Sequence, residues 1–238
     1  MKLSAPVYLL KRQARALSRK ARIPLHEALN RIAAREGFKG WSLLASQASA
    51  VGAAGRALLA ELTPGDLMLL GSRPGHGKTL LSLELAIEAM KDGRRALFFT
   101  LEYNETDILE CFATIGEDPA TFQERFYFDN SDNISASHIM DRLQSATRGT
   151  VVVVDYLQLL DQKRSNPELR DQVKVLKRFA HERGLIIVFI SQIDRRYDAA
   201  AHVWPQLADV RLPNPLDLRL FNKACFLNNG AMRMAAVE

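Results

Sequence analysis

The chain has 238 residues, 47% hydrophobic and 25% charged, which suits one sizeable folded core with a small appendage and argues against a disordered chain. No run approaches the roughly 18–20 apolar residues of a membrane span, and the basic N-terminus lacks the apolar stretch of a secretory signal. A cytoplasmic protein with no membrane partner is expected, its two distant cysteines, Cys111 and Cys225, reading as reduced, buried thiols.

The net charge of +5 is unevenly spread. Residues 1–48 carry Lys2, Lys11, Arg12, Arg15, Arg19, Lys20, Arg22, Arg31, Arg35 and Lys39 against Glu27 and Glu36, a net +8, so the remainder is near −3. In the same segment Val7, Leu10, Ala14 and Leu17 recur at helical spacing, as do Leu25, Ala28, Leu29, Ile32 and Ala33 after Pro24. Gly37 and Gly40 close that stretch, and Trp41, Leu43 and Leu44 offer a third short helix. Residues 1–48 are therefore expected to form a small basic helical domain. Its face either meets a polyanion or is the solvated side of a docking module. The Ala-, Ser- and Gly-rich stretch from Ala45 to Arg56 then predicts a linker over 49–56.

From 57 to 238 the pattern becomes short apolar runs separated by helical stretches. Leu67–Leu70, Ala96–Leu101, Val151–Val154 and Leu185–Ile190 have the continuous apolarity of strands buried on both faces. Leu80–Met90 is apolar almost all round, as a helix packed on such a sheet would be. Glu168–Arg183 instead sets Val173, Leu176 and Ala180 against Lys174, Lys177, Arg178 and His181, an amphipathic surface helix. The alternation predicts an α/β domain, a doubly wound and mostly parallel sheet with right-handed crossovers.

Between the first apolar run and the first apolar helix stands Gly71-Ser72-Arg73-Pro74-Gly75-His76-Gly77-Lys78-Thr79. A triphosphate needs backbone N–H groups that approach it closely, a cation for its β and γ oxygens and a hydroxyl for Mg²⁺. Gly75 and Gly77 permit the approach, Lys78 is the cation, Thr79 is the hydroxyl, and the helix start adds its positive dipole end. The binding segment is thus Ser72, Arg73, Pro74, Gly75, His76, Gly77, Lys78 and Thr79, with ATP and Mg²⁺ as its cofactors. Ser72 departs from the strict loop pattern, which has glycine there.

Val151–Val154 leads into Asp155, a carboxylate at the C-terminal edge of a buried strand, where open α/β sheets bind ligands. It reads as a Mg²⁺ carboxylate acting through water, or as a capping Asp after a core strand. Glu102 follows Ala96–Leu101 and suits a base that polarises water. Gln192 follows Leu185–Ile190 and suits a sensor of the γ-phosphate.

At these residues the chain resembles the RecA-type ATPase domain of the DnaB family of replicative helicases. The likeness rests on Ser72 to Thr79, Thr100-Leu101-Glu102, Val154-Asp155-Tyr156-Leu157-Gln158-Leu159-Leu160 and Ser191-Gln192-Ile193-Asp194-Arg195-Arg196, and it covers about residues 57–211. The family loop begins with a small residue before Arg-Pro, which accounts for Ser72. The resemblance implies a RecA-like P-loop NTPase fold, with Lys78 and Thr79 on nucleotide and Mg²⁺, and Asp155 as the second Mg²⁺ group. It also implies Glu102 as catalytic base and Gln192 as γ-phosphate sensor, in an ATP-dependent DNA helicase or translocase.

It further implies single-stranded DNA as partner, through loops holding Gln162, Lys163, Arg164 and Arg170, and Arg195, Arg196 and Tyr197, a mixture suited to phosphate contact and base stacking or to a solvated basic surface. Self-association through the core is implied too, a hexamer being one such ring, although the family's collar-dependent assembly and primase docking do not carry over to the short basic segment. Where the family places a Lys-x-Arg-Asn-Gly run, this chain has Phe226-Leu227-Asn228-Asn229-Gly230. Only the Asn-Gly turn signal survives. Lys223 or Arg233, flanking it, is the expected replacement cation. A regulatory switch resembling KaiC or RadA, and a DNA-tethering module with weak ATPase, are the alternatives.

Overall fold

The structure is a computed structural model and describes residues 7–44, 53–163, 166–194, 196–197, 203–212, 214–228, 231–235 and 237. Two helices, α1 (Val7–Ala21) and α2 (Leu25–Arg35), open the chain. They close a small core of their own from Leu10, Ala14, Ala28, Ile32, Ala33 and Leu44. Helix α3 (Ala53–Ala60) then begins inside the expected linker: Ala53 to Arg56 form its first turn, while residues 45–52 lie outside the described residues.

The sheet contains β1 (Leu67–Ser72), β2 (Ala96–Thr100), β3 (Phe126–Asp129), β4 (Val151–Asp155), β5 (Ile186–Gln192), β6 (Lys223–Asn228) and β7 (Ala231–Ala235), in spatial order β3-β2-β4-β5-β1-β6-β7. All neighbours pair in parallel except β6 and β7, which form an antiparallel hairpin. Helices α4 (Lys78–Lys91), α5 (Glu105–Ile115), α6 (Ala136–Arg142) and α7 (Leu169–Arg183) cover the faces. On one face Leu67, Leu69, Phe99, Val152, Val154 and Phe189 pack with α6 and α7. On the other Met68, Leu70, Phe98, Val151, Val153, Val188 and Ile190 pack with α3, α4 and α5. Because side chains alternate along a strand, each strand feeds both cores.

Helix α3 crosses α4 at van der Waals limits. A Cβ added to Gly55 would lie 2.6 Å from the Glu84 carbonyl carbon and 2.8 Å from the Leu85 nitrogen, both backbone atoms. The crossing is reinforced by Glu88 on α4, which accepts from Arg56 at 2.8 Å and from Lys91 at 2.7 Å. Small residues such as Ala53, Ala54 and Gly55 are what a close helix crossing needs, and that smallness is what made the segment look like a linker. Gly55→Ala is expected to force the helices apart at a cost of about 1–3 kcal/mol, overriding the better helix propensity of alanine. Denaturant unfolding checks this; a variant as stable as wild type would mean that the crossing is looser.

At the far edge of the sheet Asp129 ends β3 and holds α6 to it. Its Oδ2 lies 2.8 Å from His138 Nε2 and accepts from Tyr127 OH at 3.2 Å, while Oδ1 accepts from Ser131 N at 2.9 Å. Burial pushes this carboxyl up, but the His138 and Ser131 bonds overcome it and hold it down at about 2, below the ordinary 3.8. A depressed carboxyl stabilises the fold above pH 4 and loses that contribution as pH falls from about 4 to about 2. Asp129→Asn is expected to cost about 2 kcal/mol at pH 7 and to flatten the acid limb of a stability–pH profile; an unaltered acid limb would contradict it.

Candidate active site

The chain leaves β1 at Ser72, passes through exposed Arg73, Pro74 and Gly75 and half-buried His76, and re-enters helix at Lys78. Gly75 has φ +77° and Gly77, the N-cap of α4, has φ +82°, left-handed values that a side chain would strain. Lys78 and Thr79 then start a helix of which twelve of fourteen residues are buried.

Strand alternation decides what joins them. Met68 and Leu70 of β1, Ala96 and Phe98 of β2, Val151 and Val153 of β4 and Val188 and Ile190 of β5 all belong to the core on the α4 side. Two residues further on, the same periodicity puts Ser72, Thr100, Asp155 and Gln192 on that side, at the C-terminal edge. Register agrees: Thr100 stands opposite Asp155, and Ser72 opposite Gln192. Thr79 Oγ1 donates to Asp155 Oδ2 at 2.9 Å across 76 residues of sequence. Glu102 lies exposed just beyond β2, its backbone N–H donating to Thr100 Oγ1 at 3.1 Å.

Asp155 is fully buried and its Oδ1 has no hydrogen-bond partner. Burial raises its carboxyl, the Thr79 hydroxyl opposes, Glu102 raises it further and Lys78 lowers it, leaving it at about 6 against an ordinary 3.8. A buried carboxylate oxygen without a donor beside a threonine hydroxyl fits Mg²⁺, which binds through one or two protein oxygens and keeps several waters. Among the described residues no cluster of three or more His, Cys, Asp or Glu could form a closed metal cage, so nucleotide oxygens and water would complete the shell.

The regions expected to meet DNA are only partly assembled. Gln162 and Lys163 are exposed after a 3-10 turn at Leu157–Asp161, and Lys163 Nζ donates to Asn133 Oδ1 at 2.6 Å. Arg170 pairs with Asp171 at 3.5 Å and Arg196 with Asp194 at 3.1 Å. Arg164 and Arg195 lie outside the described residues. Tyr197 is a correction: it is 6% exposed and packed in the core that holds Ile193 and Val210, so it cannot offer its ring to a base.

Lys223 is a second correction. It pairs with Met68, at the N-terminal end of β1, where its Nζ bonds Asp66 Oδ2 at 3.0 Å and the Glu61 carbonyl. That edge is opposite the phosphate loop. Arg233 is exposed on β7 opposite Phe226, nearer the hairpin tip. Asn228 pairs with Ala231 around the expected Asn229-Gly230 turn, whose two residues lie outside the described residues.

One connection had no local sequence signal. Arg211 N donates to Gln192 O at 2.8 Å, and Gln158 Nε2 donates to Arg211 O at 2.9 Å. The end of β5 is thereby tied through a single residue to the turn that follows β4.

Residues 60–204, more than half of the chain, match the family model described as "ATPase: KaiC". The chain belongs to that KaiC-type ATPase family. Its relatives include a probable plasmid replicative DNA helicase of Chlamydia trachomatis serovar L2, 28% identical over 182 residues that cover 63% of this chain and 40% of the relative. Another is the replicative DNA helicase DnaB of Leifsonia xyli subsp. xyli, 26% identical over 181 residues, covering 63% and 40%. This KaiC-type ATPase thus spans about two fifths of the length of those relatives. Among solved structures, the ATPase domain of G40P shares the fold at TM-score 0.58 and 16% identity, over 79% of this chain and 82% of that one. The structure of a DnaB-like replicative helicase and its interactions with primase does so at TM-score 0.58 and 16% identity, over 92% and 66%. The RecA-like P-loop architecture and the DnaB resemblance agree with these matches. Among the described residues no helix of this KaiC-type ATPase is long and apolar enough to cross a membrane.

Proposed function

We propose that this KaiC-type ATPase is an ATP-driven motor on single-stranded DNA, a helicase or translocase of the DnaB kind. The observation that carries the reading is the contact between Thr79 and Asp155, with an unpartnered carboxylate oxygen left over at the edge where Gln192 also ends its strand. In this reading Ser72 to Gly77 wrap the phosphates with backbone N–H groups and Lys78 neutralises β and γ oxygens. Thr79 and Asp155 hold Mg²⁺, which when bound offsets the charge of the β- and γ-phosphate oxygens. Glu102 orients the attacking water and accepts its proton, and Gln192 contacts the γ-phosphate.

A second reading, a regulatory switch that binds partners without unwinding, is favoured by one observation. Phe226 to Asn228 offer no cation and Lys223 is committed to Asp66, which leaves Arg233 as the hairpin's candidate for a neighbouring subunit's site in a self-associated ring. Cations of that kind are worth on the order of 10³–10⁵ in rate in other P-loop enzymes. The test measures ATPase rate with and without single-stranded DNA and then strand displacement on a forked duplex. Stimulation with displacement supports the motor; stimulation without displacement supports the switch; no stimulation refutes both DNA-coupled readings.

A further inference from the structure

The N-terminal unit lies outside everything the ATPase reading explains. No Asp or Glu occurs before Glu27, while α1 and the turn after it carry Lys11, Arg12, Arg15, Arg19, Lys20 and Arg22. The structure shows how these cations are arranged. At 100° per residue, buried Leu10 and Ala14 and half-buried Leu17 form one narrow stripe against α2. On the same wheel Lys11, Arg12, Arg15 and Arg19 form a second stripe about 100° wide, centred about 140° from the first. All four are exposed, and none joins an ion pair among the described residues.

The stripe has the chemistry of a phosphate-backbone contact. Lys11, Arg15 and Arg19 succeed one another at steps of about 6 Å, close to the roughly 7 Å axial distance between every second phosphate of one DNA strand. Three of its four members are arginines, whose forked donors suit phosphate. A protein-docking surface would instead need an apolar or aromatic anchor within the basic rim. Among the side chains of α1 that are described, from Leu10 to Ala21, no large apolar one is exposed; the exposed ones in this unit, Leu25 and Leu43, lie elsewhere.

We infer that α1 is a DNA anchor without sequence preference, gripping the phosphate backbone independently of the nucleotide site. It departs from the motor proposal in needing neither ATP nor Glu102. Each neutralised phosphate contributes about 0.9 to the slope of log affinity against log salt on duplex DNA, and about 0.7 on a single strand.

The experiment uses the full chain without nucleotide, titrated onto a duplex and onto a single strand, each in two unrelated sequences, across a salt series. Arg12→Ala, Arg15→Ala and Arg19→Ala combined should reduce the slope by about 2–3 for both unrelated sequences, while the matching triple Arg→Lys variant keeps the wild-type slope. Circular dichroism and DNA-independent ATPase should be the same in all three proteins. An alanine triple with the wild-type slope, or a wild type that does not bind DNA at low salt, overturns the anchor. A lysine triple that behaves like the alanine triple also overturns it as a charge effect. If DNA fails to stimulate ATPase yet the slope difference stands, the motor reading falls and the anchor remains.

Discussion

Glu102→Gln is expected to leave ATP binding near wild type while lowering turnover by about 10²–10⁴-fold, whereas Lys78→Ala weakens binding and abolishes hydrolysis. The asymmetry follows from where each group acts. In the proposed reading Lys78, at the buried start of α4, meets phosphate oxygens in ground and transition state alike. Glu102 stands exposed beyond β2, able to reach a water without holding the nucleotide, so its contribution is confined to the step in which the proton moves. Equilibrium binding of a fluorescent ATP analogue together with steady-state phosphate release separates the two. A Glu102→Gln protein that hydrolyses ATP at the wild-type rate would move the base elsewhere.

Asp155→Asn is expected to abolish Mg²⁺-dependent hydrolysis and, in the absence of Mg²⁺ and nucleotide, to make the protein more stable. Burial and the neighbouring Glu102 raise the folded-state carboxyl to about 6, above the 3.8 it has when unfolded. The unfolded carboxyl therefore ionises first as pH rises. Between about pH 4 and 6 the native state progressively loses stability to it, and above pH 6 the full cost of about 3 kcal/mol is present. Asparagine keeps an oxygen for the Thr79 hydroxyl and removes the charge. The melting temperature of the variant should exceed that of wild type at pH 7–8, and the gap should close toward pH 4. Mg²⁺ with nucleotide should raise the wild-type value by more than that of the variant, which keeps the phosphate loop but loses a Mg²⁺ group. A variant melting below wild type at pH 8 would contradict the account.

The parts legible from sequence were those governed by burial on both sides. Leu67–Leu70, Val151–Val154 and Leu185–Ile190 read as strands because parallel strands under helices must be apolar throughout. The structure adds the polar residues, Ser72, Asp155 and Gln192, as strand ends. Strand β3 has no clear pattern in the sequence, since Phe126, Tyr127 and Phe128 are half-buried at the sheet margin and precede an acid whose partner, His138, lies on a later helix. Helix α5 carries a local signal, the reciprocal Asn104–Asp107 cap, but α3 carries almost none. Glycine and alanine are chosen there for what they leave out. The fates of Tyr197 and Lys223 depended on three-dimensional partners. The link from Gln158 through Arg211 joins groups 53 residues apart that no spacing rule connects.

The burial of α4 has a mechanical consequence. In the proposed motor, a helix buried on twelve of its fourteen residues, held close to α3 at Gly55 and ion-paired through Glu88, would act as a stator, keeping the loop at Gly75 and Gly77 still while the nucleotide changes. In the proposed motor, displacement would then leave the site through two strand ends at the C-terminal edge of the sheet, Asp155 and Gln192. Because Arg211 straps the second to the turn following the first, the two ends would move as a single output shaft, a load on either being felt at both.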